Sequence, residues 1–191
     1  MENYLSEEEL KKLGLKEYGE DVLIGRHAVL YSPEKLSLGN HVRIDDFTSI
    51  SGTVTLHDYI HISQFCGLYG GDEGIVMEDF SGLSSRCSLY AVSDDYTGAS
   101  MTNPTVPAQY KPYSISRPVR LEKHVIIGCN SVILPGVTVA EGTAVGSMSL
   151  CNKSTEAWSI YVGIPAGKKG ERKRDILELE KKLRADSERI K

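Results

Sequence analysis

Between residues 38 and 145 an aliphatic side chain returns at every sixth position. The series runs through Leu38, Ile44, Ile50, Leu56, Ile62 and Leu68. It resumes after a three-residue excess in "LYGGDEGIV" at Met77, Leu83 and Leu89, and restarts at Leu121, Ile127, Ile133, Val139 and Val145. Two places before each sits a small or branched partner, among them Val42, Thr48, Val54, Ile60, Cys66, Ile75, Ser81 and Cys87. A helix repeats its buried face every ~3.6 residues and a strand every 2. A period of six fits neither and is met by a triangular solenoid, in which each hexapeptide is one short flat strand plus a corner and three close one coil. The inward aliphatic then stacks on its counterpart in the next coil. Gly39, Gly128 and Gly146 each follow an inward aliphatic, where a side chain would crowd the turn. The expected fold is therefore an all-β solenoid, a parallel β-helix, with coils over 21–92 and 119–165 and a weaker start near Ile24 and Leu30.

Three segments leave the coil. In "SEEELKKLG", Ser6 and Glu9 form a capping box and Gly14 a stop, which predicts a short helix in an N-terminal cap over 1–20. Residues 93–118 carry four prolines, three tyrosines and no ladder, and are expected to protrude as a functional loop. Ile176, Leu179 and Leu183 recur at helical spacing among charges, predicting an amphipathic C-terminal helix within 170–191.

A net charge of -4 excludes non-specific nucleic-acid binding, which needs a basic surface. No apolar run approaches the ~20 residues of a membrane span, and the acidic start "MENYLSEEELKK" is unlike a signal peptide, so a cytoplasmic location is expected. Cys66, Cys87, Cys129 and Cys151 form no CxxC pair and read as buried free thiols, with Cys66 and Cys87 stacked in adjacent coils. "HDYIH" sets His57 and His61 four apart, a metal spacing on a helix that loses its meaning in a strand ladder. No metal site is expected. His27, His41 and His124 read as exposed.

The ladder, the long loop and the closing "SIYVGIPAGKKGERKR" together resemble the hexapeptide-repeat acyltransferases that use acyl-CoA. The stretches "VRIDDF", "LYGG", "MEDFSGLSSR" and "SDDYTG" with "TNPTVP" are similar to the nucleotide-sugar N-acyltransferases that act on dTDP-4-amino-4,6-dideoxyglucose. The resemblance implies a left-handed coil, a homotrimer with sites between subunits, coenzyme A in a groove between solenoids, and the loop reaching over the active site. Acetyl-CoA is the expected donor and a cell-surface polysaccharide pathway the expected setting. Galactoside-type relatives place a basic histidine at the loop's start, but here that region reads "AVSDDYTG". This departure turns the reading toward an amine acceptor, which needs less activation than a hydroxyl.

Acyl transfer to an amine requires an unprotonated nitrogen near the thioester carbonyl, a destination for its proton, and support for an oxyanion. Asp94 is the first candidate to orient the amine and collect the proton, with Glu78 and Ser84 orienting the amine or thioester. Asp94 and Asp95 also fit an Asx turn launching the loop. Candidates for holding the nucleotide sugar are Asp95, Arg43, Asp45, Tyr69, Tyr90 and His61, the last also an alternative base. For coenzyme A the candidates are backbone groups near Gly128, Gly146 and Ser147. Ile164 and Pro165 would flank the adenine, and Lys168, Lys169 and Arg172 would meet the phosphates. Competing functions are O-acetylation of a galactoside- or maltose-type sugar, a metal-dependent enzyme resembling γ-type carbonic anhydrases, and a non-catalytic scaffold.

Overall fold

The computed structural model describes residues 3–190; Met1, Glu2 and Lys191, the outermost residues of the two expected caps, lie outside them. Within these bounds the chain winds as a parallel β-solenoid with three sheet faces of six, eight and six strands. On the first face Leu38 sits on Leu56, Leu56 on Met77, Met77 on Leu121 and Leu121 on Val139. The second face stacks Ile24, Ile44, Ile62, Leu83, Ile127 and Val145 in the same way. The third stacks Leu30, Ile50, Leu68, Leu89, Ile133 and Cys151. Every aliphatic of the six-residue series is buried, and the partners two places earlier are buried with them.

The two irregularities of the series are absorbed without disturbing it. The three-residue excess becomes a tight turn in which Gly74 N–H donates to Gly70 O at 2.9 Å before Ile75 rejoins the sheet beside Val54. The long interruption leaves and returns at one neck. Val92–Asp94 pairs antiparallel with Ser114–Ser116, and Arg117 N–H closes on Ala91 O at 2.9 Å. Val119 then takes the place beside Ile75 that the next coil requires.

The coil's corners place bulky residues in the left-handed region. Asp21, His41, Tyr59, Phe80 and His124 mark one corner with φ between 54° and 61°, and Phe47, Phe65, Arg86, Asn130 and Met148 another. Such a backbone costs roughly 1–2 kcal/mol for a residue with a Cβ. Their rings stack from coil to coil: His41 on Tyr59 at 4.6 Å, Tyr59 on Phe80 at 4.7 Å, Phe80 on His124 at 5.2 Å, and Phe47 on Phe65 at 5.0 Å. A stacked pair returns about 0.5–1.5 kcal/mol, less than the corner strain. The buried ladder, at about 1.5–3 kcal/mol for each fully buried aliphatic, therefore holds the turns closed.

The caps differ from expectation at their inner edges. The helix α1 (Glu7–Lys12) has the expected box, with Glu9 N–H donating to Ser6 Oγ at 3.3 Å and Ser6 N–H to Glu9 Oε2 at 2.7 Å. The first coil, however, begins at Glu17–Tyr18, inside the expected cap, because these residues pair with Ser37–Leu38. At the other end the helix α2 (Ile176–Ile190) starts later than 170. Gly167–Glu171 instead turns back antiparallel on Ser159–Val162, satisfying the last coil's open edge.

Cys66, Cys87 and Cys151 are buried, whereas Cys129 is half-exposed and donates to Ser147 Oγ at 3.3 Å. Cys66 and Cys87 occupy adjacent rungs, as their 21-residue spacing implies, and donate to Ser84 O and Gly128 O, each at 3.2 Å. Burial pushes the Cys151 thiol up to about 11. Ile62 has no exposed surface, so Ile62→Ala should lower stability by about 2–5 kcal/mol, read as a shifted urea midpoint with an unchanged slope.

Candidate active site

Two concavities lie on different faces of the coil. The larger, about 1140 Å³, opens beneath the protruding loop and brings together Asp94, Tyr69 and Tyr90 with Lys111. The two tyrosines occupy adjacent rungs of the third face and stack with centroids 4.8 Å apart. Gly67 makes this possible, since a Cβ there would lie 2.7 Å from the Tyr69 hydroxyl oxygen. Burial raises the Tyr69 phenol, with a further push from the neighbouring Tyr90 and Tyr31. Asp94 Oδ2 accepts from Asn103 N–H at 3.0 Å, and Lys111 Nζ donates to Asn103 O at 2.7 Å. Asn103, itself left-handed with φ 68°, thus ties the two charged side chains to one point of the loop.

The adjacent aspartates, equivalent candidates in sequence, separate here. Asp95 accepts from Thr97 N–H at 2.9 Å, from the Thr97 hydroxyl at 2.7 Å and from Ser100 N–H at 3.0 Å. These bonds, led by the Thr97 backbone, hold its carboxyl below the usual range. It is the Asx residue that shapes the loop. Only Asp94 lines the cleft.

The second concavity, about 660 Å³, lies between the second face and α2. His61, Ser63, Gly82, Ser84 and Ile126 line it from the coil, and Leu179 and Leu183 from the helix. The helix is pinned by Glu180, whose nearly buried carboxylate meets Lys123 Nζ at 2.6 Å, His124 Nε2 at 2.8 Å and Arg184 Nε at 2.6 Å. Burial opposes ionisation of Glu180, but these three donors outweigh it and hold the carboxyl at about 2. His124 is therefore 6% exposed, contrary to its reading as a surface histidine.

At one edge of this groove a single corner row carries Ser63, Ser84, Gly128 and Gly146 on successive rungs. Their N–H groups donate to Leu83, Ile127, Val145 and Tyr161 carbonyls at 3.0, 2.9, 2.7 and 2.8 Å. Gly128 O and Gly146 O accept from Cys87 Sγ and from the Ser131 hydroxyl. The backbone groups of these two glycines join one coil to the next. Their bareness serves close approach: a Cβ on Gly128 would lie 2.5 Å from Ser147 N, and one on Gly146 2.5 Å from Val162 Cγ1.

The remaining candidates disperse. Glu78 pairs with Arg120 and accepts from Lys123 N–H at 3.2 Å, lining neither concavity. Arg43 Nε donates to Asp45 Oδ1 at 2.7 Å. Arg172 donates from Nη1 to His124 O at 2.7 Å and to Gly142 O at 2.9 Å, which braces its guanidinium against the last coils. Lys168 is held by Glu156 at 2.8 Å and Glu171 at 2.6 Å. Lys169, Ile164 and Pro165 are exposed near the end of the solenoid. Sequence reasoning missed Glu180, Gly82 and Tyr4, whose partners are remote in the chain, and Asn103, whose partners Asp94 and Lys111 lie within the same loop. It also missed the ring-stacked corner, although His41, Tyr59, Phe80 and His124 step with the same intervals as the ladder. Among the described residues no group of three His, Cys, Asp or Glu side chains comes together to hold a metal ion.

A hexapeptide β-helix with a cleft beneath a protruding loop and the "VGIPAGKK" tail is that of the acyl-CoA-dependent hexapeptide acyltransferases. No family model matches the chain. It is 42% identical over 180 residues, 93% of either chain, to the dTDP-4-amino-4,6-dideoxy-D-glucose acyltransferase of Escherichia coli. It superposes with a TM-score of 0.94 on the S84C mutant of AntD, an N-acyltransferase from Bacillus cereus, in complex with dTDP-4-amino-4,6-dideoxyglucose and coenzyme A; identity is 47%, over 96% of this chain and 98% of that one. AntD with dTDP and 3-hydroxybutyryl-CoA gives 0.95 at 47% identity, over 98% and 100%. The chain belongs to the nucleotide-sugar N-acyltransferases of the hexapeptide-repeat fold.

The lowered carboxyl of Glu180 fixes a sign. A folded value of about 2 against an ordinary 4.5 contributes stability that is complete above pH ~4.5 and lost as pH falls toward 2. Glu180→Gln should lower stability by about 1–3 kcal/mol at pH 7. The gap to the wild type should close in thermal unfolding at pH 2–3, a comparison that cancels the other carboxylates.

Proposed function

We propose that the protein transfers an acyl group from acyl-CoA to the 4-amino group of dTDP-4-amino-4,6-dideoxyglucose. The observation that carries this reading is the full-length match, at 47% identity, to an N-acyltransferase bound to that sugar nucleotide and to coenzyme A. AntD has also been crystallised as serine and aspartate variants whose positions carry the numbers of Ser84 and Asp94 here. Acetyl-CoA is the proposed donor, with 3-hydroxybutyryl-CoA, the ligand found with AntD, as its comparator.

In this reading the sugar lies in the cleft under the loop, against Tyr69 and Tyr90, with Asp94 accepting a hydrogen bond from the amine. The nitrogen attacks the thioester carbon, the C–S bond breaks as the tetrahedral species collapses, and coenzyme A leaves as the free thiol with the proton that the nitrogen gives up. The Ser84 hydroxyl supports the thioester oxygen as it gains charge. Lys169 and Lys168 meet the cofactor's phosphates, and Ile164–Pro165 flanks its adenine. Asp94 and Ser84 line different concavities, so in this reading the site lies between copies of the chain, and the proposed assembly is a homotrimer in which one copy's loop cleft faces the next copy's groove around a threefold axis. No described helix is long and apolar enough to cross a membrane. The proposed setting is the cytoplasm, where the acylated sugar nucleotide would feed cell-surface polysaccharide synthesis such as that of an O-antigen.

Thiol release should be followed with both donors against the amino-sugar nucleotide and against simple galactosides. Turnover of the amino sugar alone is expected, and turnover of galactosides alone would replace this reading with O-acetylation. Asp94→Asn should cut kcat/KM by about a hundredfold or more. Sedimentation should give three times the chain mass.

A further inference from the structure

Gly82 lacks a side chain for no reason that the coil supplies. At Gly25, Gly39 and Gly128 a Cβ would lie 2.7, 2.7 and 2.5 Å from backbone atoms of the adjoining coil, so those positions must be bare. At Gly82 it would meet, outside the two chain neighbours, only His61 O at 3.3 Å. A shift of a few tenths of an ångström relieves that contact, and the Gly82 backbone is not left-handed. Glycine within a strand weakens it and often marks a place where a ligand or another backbone comes close. No second backbone crowds this one, which leaves a ligand.

The empty position has defined walls. His61 and Ile126 flank it on the preceding and following rungs, two strand spacings or about 9–10 Å apart. One alkyl chain, keeping about 3.5–4.0 Å from carbon to carbon, fits between them. Ile126, Leu179 and Leu183 expose apolar surface to the same groove. Leu83 points into the core, so Gly82 and Ser84 face outward on either side of it and line the groove together. Two residues of strand separate them by about 6–7 Å. A hydrogen bond of about 2.8 Å from Ser84 to a thioester oxygen, plus a tail of two or three carbons, spans that distance. Resting on the acyl-transfer reading above, we propose that the gap over Gly82 receives the donor's acyl chain and that Gly82 sets its permitted length. The donors are then short-chain acyl-CoAs up to about the four-carbon length that this spacing allows. Acetyl leaves the gap part empty, and a four-carbon acyl group fills it.

The test is thiol release from acetyl-, butyryl- and hexanoyl-CoA with dTDP-4-amino-4,6-dideoxyglucose as acceptor. Its readout is the ratio of kcat/KM between donors, in which any general loss of activity cancels. The wild type should use butyryl-CoA within about tenfold of acetyl-CoA and hexanoyl-CoA less well. Gly82→Val fills the gap with a side chain that strands favour, and should lower the butyryl-to-acetyl ratio by about 10–200-fold. Ile126→Ala removes an exposed wall without touching the core, and should raise the hexanoyl-to-butyryl ratio by about tenfold. An unchanged ratio in either folded variant would overturn the assignment, as would a wild type that takes acetyl-CoA alone. Wild-type protein inert with all three donors would overturn the proposed function as well, whereas an active wild type with unmoved ratios in the variants sinks the acyl pocket alone.

Discussion

Each inward aliphatic of this protein is covered by its counterpart one coil away, so no coil owns its own core. Ile62 is sealed by Ile44 below and Leu83 above. Position is thereby fixed by register with a neighbour and not by contacts within a turn. Everything outward inherits that register. Tyr69 stands on the rung beside Tyr90, and Ser63 beside Ser84, because the buried residues one place away cannot slip without exposing a face. The tight corners, with their left-handed Tyr59, Phe80 and His124, persist because the ladder they serve is worth more than they cost.

The candidate site uses this scaffold through local departures from it. Gly67 is bare so that the Tyr69 ring can lie back, and Gly82 is bare beside His61. The loop stands on a two-strand stalk that places Asp94 at the cleft and turns Asp95 into its own backbone. The helix α2 is drawn onto the coil by one carboxylate with three cationic or ring partners, and a groove remains between them. Chemistry-bearing side chains sit where the repeat is missing a side chain, a rung or a strand.

The fold was legible because its signal is local and repeated many times. A six-residue period identifies inward residues one by one, and each was found buried. Boundaries were less legible. Glu17–Tyr18 joins the coil, and Gly167–Glu171 forms a strand, through partners some twenty and ten residues away that no pattern marks. Sequence could name Asp94, Tyr69, Tyr90 and Ser84, yet could not tell that the first three share a cleft and the fourth does not. Arg172, Glu78 and Asp45 looked available because their partners, His124 O, Arg120 and His61, are remote in the chain. A charged residue's neighbours decide whether it binds a ligand or a backbone, and neighbours are what a linear pattern omits.

The interruption at 93–118 leaves from one rung and comes back one rung higher, with Met77 and Leu121 in contact as though nothing lay between them. The core is consequently blind to the length and content of whatever is inserted there. A substitution, lengthening or exchange of that segment alters the lining of the cleft while Met77 and Leu121 keep their register, whereas a residue added within a strand, unlike the excess taken up at the 70–74 turn, would turn inward side chains outward. The molecule is in effect a rigid spindle with one editable page, and new acceptors can be tried there without renegotiating the rest of the chain.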